Sequence, residues 1–182
     1  MRLPSFLRPT HALLLALALA VAGCGGGVTA PDGGDDGSGD DGRAAITDAQ
    51  VFALARATEG WTWYKLRPDT LSPGSNSPHG RFRTRYNARA AALLDAQGKV
   101  RAGASFPDSS LIVKEVYQGG ALSLVAVMLK ARTDPNARSD GWLWAEYRPD
   151  GLVAFSVAQG SGICTGCHMP GIDFTRMNDS HP

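Results

Sequence analysis

Near its end the chain carries Cys164-Thr165-Gly166-Cys167-His168, a C-x-x-C-H with only fourteen residues after it. This placement rules out more folds than any other part of the sequence. Two thiols three positions apart, followed at once by an imidazole, match the attachment site of a c-type haem. In that reading Cys164 and Cys167 form thioethers to the vinyl groups and His168 binds the iron. The usual helical electron-transfer arrangement sets the motif near the start and takes a methionine ligand from far downstream. Fourteen residues exclude it. A four-helix bundle with a C-terminal motif would need four amphipathic helices, which the β-type runs, eleven prolines and twenty-two glycines oppose.

Two other uses of the thiol pair remain open from the residues alone. A zinc site needs about four ligands, and apart from His168 only His79 and His181 would be left once His11 departs with a leader. A C-x-x-C disulfide is the other, although it gives no role to the adjacent His168.

The third thiol has a different setting. Cys24 closes Val21-Ala22-Gly23-Cys24, which reads as a lipobox, behind Arg2, Arg8 and an apolar run over 12–22. That run is too short to span a bilayer but fits the apolar region of a secretory leader. The expectation is a lipoprotein signal over 1–23, a lipid on Cys24 and export to the periplasmic face of a membrane, with an outer membrane preferred. A plain leader without lipid is the competing reading. Residues 24–42 contain the lipidated cysteine and a linker of Gly, Asp, Ser and Pro, too polar to bury a core. Two of the eighteen basic residues (Arg2, Arg8) and five of the seventeen acids precede Arg43. The remainder is mildly and diffusely basic, which gives no case for nucleic acid.

Residues 43–182 form one domain by length. A helix is expected over 48–58, capped by Thr47 and burying Val51, Leu54 and Ala55. A strand follows over 81–86, then a short helix over 88–96 capped by Asn87 and closed by Gly98. Further strands are expected over 111–117, 121–131, 141–147 and 152–157, with turns at Gly119-Gly120 and Pro149-Asp150-Gly151. The fold class is therefore α+β: a small antiparallel sheet with a few packed helices and a haem attached near the C-terminus. On the strand over 111–117, Ile112, Lys114 and Val116 share one face, and Val113, Glu115 and Tyr117 the other. Lys114 between two β-branched residues either points inward, where burial favours a nucleophilic neutral amine, or snorkels out or pairs with an acid such as Glu146. Trp142 and Trp144 share a face with Glu146 and read as core or pocket wall. Met128 reads as core, His79 as a turn residue and His181 as part of a frayed tail, so none of them is expected to bind iron. Met169 is too close to His168 to reach the opposite side of one iron, whereas Met128 and Met177 could.

His79-Gly80-Arg81-Phe82-Arg83-Thr84-Arg85-Tyr86-Asn87, Phe106-Pro107-Asp108, Leu111-Ile112-Val113-Lys114-Glu115, Gly141-Trp142-Leu143-Trp144 and the C-x-x-C-H with Asp173-Phe174 occur in one order. That ordered set, over roughly 46–176, resembles the cytochrome P-460 family, which includes the β-type cytochromes c′. The resemblance implies a sheet covering a five-coordinate haem, with Cys164 and Cys167 as thioether ligands and His168 as axial ligand. It also implies a bond from Lys114 to the porphyrin edge, Arg83 near the distal side, and often a homodimer. Activity would be oxidation of hydroxylamine or a related small nitrogen species, with electrons passed to another cytochrome. The alternatives are capture of nitric oxide or another diatomic gas without turnover, and plain electron transfer. The chain departs from the active members in two ways. Ala126 stands where they carry a distal acid, with Glu115 and Glu146 as possible substitutes, and the segment after His168 is short.

Overall fold

A computed structural model describes residues 44–72 and 79–176. The expected leader, Cys24, the linker, Met177 and His181 lie outside the described residues. Among those described, no helix is long and apolar enough to cross a membrane.

The elements run α1 (Asp48–Ala55), β1 (Trp61–Trp63), β2 (Arg81–Asn87), α2 (Ala88–Ala91), β3 (Leu111–Gln118), β4 (Ala121–Lys130), β5 (Trp142–Tyr147), β6 (Val153–Phe155) and α3 (Gly162–His168). The six strands form one antiparallel sheet in chain order, so every strand pairs with its sequence neighbours. The fold is α+β, as the sequence pattern suggested. Gly119 and Gly120 join β3 to β4 with φ of 56° and 85°, the pair of left-handed residues that a tight hairpin demands.

Both faces of the central strands are covered, because both alternating sets of side chains are apolar. On one face Val113, Val125, Val127, Leu143, Ala145 and Tyr147 pack with Val51 and Ala55 of α1. On the other, Phe82, Tyr86, Ile112, Val116, Met128, Trp142 and Trp144 pack with Ala90, Leu94 and Phe106. Cross-strand pairing lines up Thr84, Lys114, Ala126, Glu146 and Phe155 in a row across β2 to β6. That row belongs to the second face.

The differences from expectation have local causes. α1 starts at Thr47 with a capping box to Gln50, but ends at Ala55, and Leu54 is exposed. α2 is one turn long. The Asp95 carboxylate accepts from Gln97 N and Lys99 N, a local bond that competes with continuing the helix. β6 stops at Phe155 because Ser156 caps the following single turn, Val157–Gln159. β1, unexpected from the sequence, is the β-prone triplet Trp-Thr-Trp laid against β2.

Leu143 is 1% exposed and lies on the α1 side of the sheet. Leu143→Ala should cost about 2–5 kcal/mol by leaving a cavity. The urea midpoint should fall with an unchanged m-value.

Candidate functional site

The C-x-x-C-H forms most of α3, which ends at Met169 just before Pro170. Helical spacing sets Cys164, Cys167 and His168 at i, i+3 and i+4, so the three share one side of the helix. All three line a cavity of about 350 Å³, within the range that small-molecule and cofactor sites occupy. The sheet supplies Ile112, Lys114, Ala126, Met128, Trp144, Glu146 and Phe155 to the same cavity, and the tail supplies Thr175 and Arg176. It is walled mainly by apolar groups, with an amine, a carboxyl and a guanidinium among them.

Two contacts help to orient His168. Its Nδ1 lies 2.9 Å from the Phe174 carbonyl oxygen, and its ring meets the edge of Trp144 at a centroid distance of 4.8 Å. A carbonyl only accepts, so the proton sits on Nδ1 and the lone pair of the neutral ring is on Nε2. This is the tautomer that a metal-binding histidine needs.

The thiols are both free, Cys164 partly buried and Cys167 exposed. Burial, followed by the charges of Glu146 and Asp140 and by Cys167, pushes the Cys164 thiol up to about 11. Zinc binds thiolate, and a thiol held protonated is poorly suited to it. Among the described residues no three His, Cys, Asp or Glu side chains converge to hold a metal ion. A haem asks less of the protein: two thiols, one imidazole and an apolar slot. The residues present fit that group.

Lys114 points to the cavity with its ammonium 4.7 Å from the centroid of the Phe82 ring. Burial lowers its pKa to about 8. Arg176 acts in the same direction and Glu146 opposes it. Glu146 is itself raised, by burial first, with Lys114 pulling the other way. Lys114 is half-buried and lines the cavity wall.

Arg83 is not brought to the cavity. Strand alternation turns it to the opposite face, where Nε donates to Glu115 Oε2 at 2.5 Å and the guanidinium stacks on Trp63 and Tyr117. Glu115 is held there too, by Arg83, Arg85 and Tyr117. Of the two acids considered as substitutes at Ala126, only Glu146 lines the cavity. Met128 is wall, as expected. His79, read as a turn residue, also lines the cavity. Phe155 and Arg176 were missed. Phe155 could have been found from the row it shares with Lys114, but the position of Arg176 follows from the path of the tail, which has no sequence signature.

No protein-family model matches this chain, and no curated protein matches it significantly.

Lys114 gives a pH signature. Its folded pKa of about 8 lies below the ordinary 10.5, so between those values the unfolded chain binds more protons and stability rises with pH. In the chain without a bound group, Lys114→Met removes this dependence. Its stability relative to wild type should be greatest below pH 8 and shrink as pH climbs to 10.5. Urea midpoints for both proteins across the window measure this, and a constant difference would show that the amine is not desolvated.

Proposed function

We propose that this chain is a c-type haem protein of the cytochrome P-460 kind that oxidises hydroxylamine or a related small nitrogen species. One observation carries the reading. Both thiols, an imidazole protonated on Nδ1, a depressed lysine and a raised carboxyl line a single apolar cavity. Cys164 and Cys167 would hold the haem as thioethers and His168 Nε2 would bind its iron. When bound, the haem supplies a redox-active iron with room for a small ligand.

The remaining work falls to the chain. Lys114 Nζ, about half neutral near pH 8, would face the porphyrin edge; the extra bond that the resemblance implies would replace an amine N–H and a ring C–H, with two electrons passing to an oxidant from outside the chain. Glu146 accepts a substrate proton at its carboxylate, one strand away from the family's position and in the same row. Ile112, Met128 and Phe155 keep water out. Electrons leave to an accepting cytochrome, and the lipid on Cys24 keeps the protein at the periplasmic face of a membrane. Arg83 has no part in this scheme.

Ala126 supports a second reading. A methyl group in place of an acid, among apolar walls, suits a neutral diatomic such as nitric oxide bound without turnover.

Acid-acetone-washed protein should retain its pigment, and Cys164→Ala with Cys167→Ala should lose it. A Lys114 bond would place the ferrous Soret band to the red, and Lys114→Ala should return it to the ordinary c-type position. Glu146→Gln should slow hydroxylamine oxidation by about 10²–10⁴-fold while nitric oxide binding persists. An ordinary spectrum that responds to nitric oxide, with no turnover in the wild type, selects the gas-binding reading. Loss of pigment on washing rejects both.

Exported behind an ordinary leader, the chain with Cys24→Ser should fractionate as soluble protein. Retention in the membrane fraction would remove the lipid tether from the scheme.

A further inference from the structure

The hydrogen bond that fixes His168 depends on a carbonyl held in an unfavourable turn. Residues 172–175 close on themselves, with Thr175 N donating to Ile172 O at 2.8 Å. The two central residues, Asp173 and Phe174, have φ of 44° and 62°. Turns of this hand ordinarily carry Asn-Gly, and a bulky aromatic in the left-handed region is a strained choice. The approach is also close. A Cβ on Gly171 would lie 2.0 Å from Thr175 O, so only glycine fits beside the turn.

Strain of this kind persists where surrounding contacts over-determine it, and it gathers at functional sites. Asp173 supplies those contacts. Its Oδ1 accepts from Lys130 Nζ at 2.8 Å, its Oδ2 from Phe106 N at 2.7 Å, and its carbonyl from Trp142 Nε1 at 3.1 Å. Lys130 is 3% exposed, donates also to Asp140 O at 2.9 Å, and sits over the Trp142 ring. Asp140 in turn accepts from Trp144 Nε1 at 2.9 Å, and Trp144 is the ring that packs on His168. Two routes thus lead from the buried lysine to the imidazole, one through the turn and one through the tryptophan.

We infer that Asp173 and Lys130 are positioning residues for His168, which lock the left-handed turn so that the Phe174 carbonyl meets Nδ1 and Nε2 keeps its lone pair. A buried ion pair is no efficient source of stability, since apolar residues of similar volume often do as well. Its use here is directional: the cation holds the one carboxylate whose backbone aims the carbonyl. This rests on the haem reading only where the consequence for iron is concerned. A histidine whose Nδ1–H is bonded to a carbonyl is a more basic ligand. Losing that bond weakens donation and raises the reduction potential.

The full chain with haem attached is compared with Asp173→Asn and Lys130→Met, taking Leu143→Ala as a variant destabilised away from the turn. The expected result is a higher haem reduction potential in the first two and an unchanged potential in the third. Equal potentials in all four proteins would overturn the inference and leave Asp173 and Lys130 with a stabilising role alone. Should Asp173→Asn fail to fold, Lys130→Met carries the same comparison. If the wild type retains no pigment, the haem reading is lost and the inference is still decided, by ¹⁵N NMR of the His168 ring. The Nδ1-protonated tautomer should dominate in wild type and give way to a mixture in both variants, and identical tautomer populations would overturn the inference.

Discussion

A strand buried on both faces must send every second side chain to a different interior, and the candidate site depends on that parity. β3 and β4 assign Ile112, Lys114, Val116, Ala126 and Met128 to one side, and Val113, Val125 and Val127 to the other. A slip of one residue would carry Lys114 under α1 and turn Val113 and Glu115 toward the cavity. The slip is opposed by the charges it would misplace, with Lys114 under α1 and Glu115 parted from Arg83 and Arg85, and by the two left-handed glycines of the β3–β4 hairpin. The row that presents Lys114 and Glu146 together is thus a consequence of core packing. No separate device is needed to bring them to one cavity.

Among the described residues, the charged groupings that bear on the site differ in how completely they are closed. Lys130 and Asp173 are bonded to each other and to backbone or indole groups. Arg83, Arg85, Glu115 and Tyr117 form a second closed set on the opposite face. Closed sets of this kind hold shape. Lys114 and Glu146 are different. They pair with the same residue, Ala126, from opposite sides, so their Cα atoms are separated by about two strand spacings, roughly 10 Å. Each shifts toward its neutral form by burial, and the two charges only partly offset this. The separation keeps both groups available to a molecule in the cavity.

The strands were legible because alternation and turn residues coincide, and the shared side of Cys164, Cys167 and His168 follows from spacing alone. What failed shows where sequence stops being informative. Arg83 alternates with Phe82 and Thr84, so β2 by itself says that they face opposite ways. Which of those faces meets Lys114 is decided by register, Thr84 opposite Lys114, and register is set across thirty residues of chain. The resemblance implied only that Arg83 lies near the distal side, and the pairing turns its side chain to the face opposite Lys114. Leu54 is a milder case, an apolar residue on a helix too short to bury it. The 172–175 turn was invisible for a physical reason. Propensity places glycine or asparagine at left-handed positions, and Asp-Phe adopts them only because Lys130, Phe106 N and Trp142 hold the aspartate.

α3 is short and lightly anchored. It has seven residues, buries none of them and lacks a side-chain N-cap, while Ile163 beside the first cysteine is 77% exposed. Isolated helices shorter than about 12–15 residues are marginal in water, so this one is held from outside. Restraints come from the tail and from the sheet: Phe174 O accepts from His168 Nδ1, Arg176 Nη1 donates to Cys167 O at 2.9 Å, and the His168 ring meets Trp144. Ile163 lines the rim of the cavity, and Cys164 packs against the apolar cluster that holds Trp144. α3 is thus fastened through the residues of its own motif: Cys164 packs on the core cluster, His168 meets Trp144 and Phe174, and Cys167 is tied by Arg176.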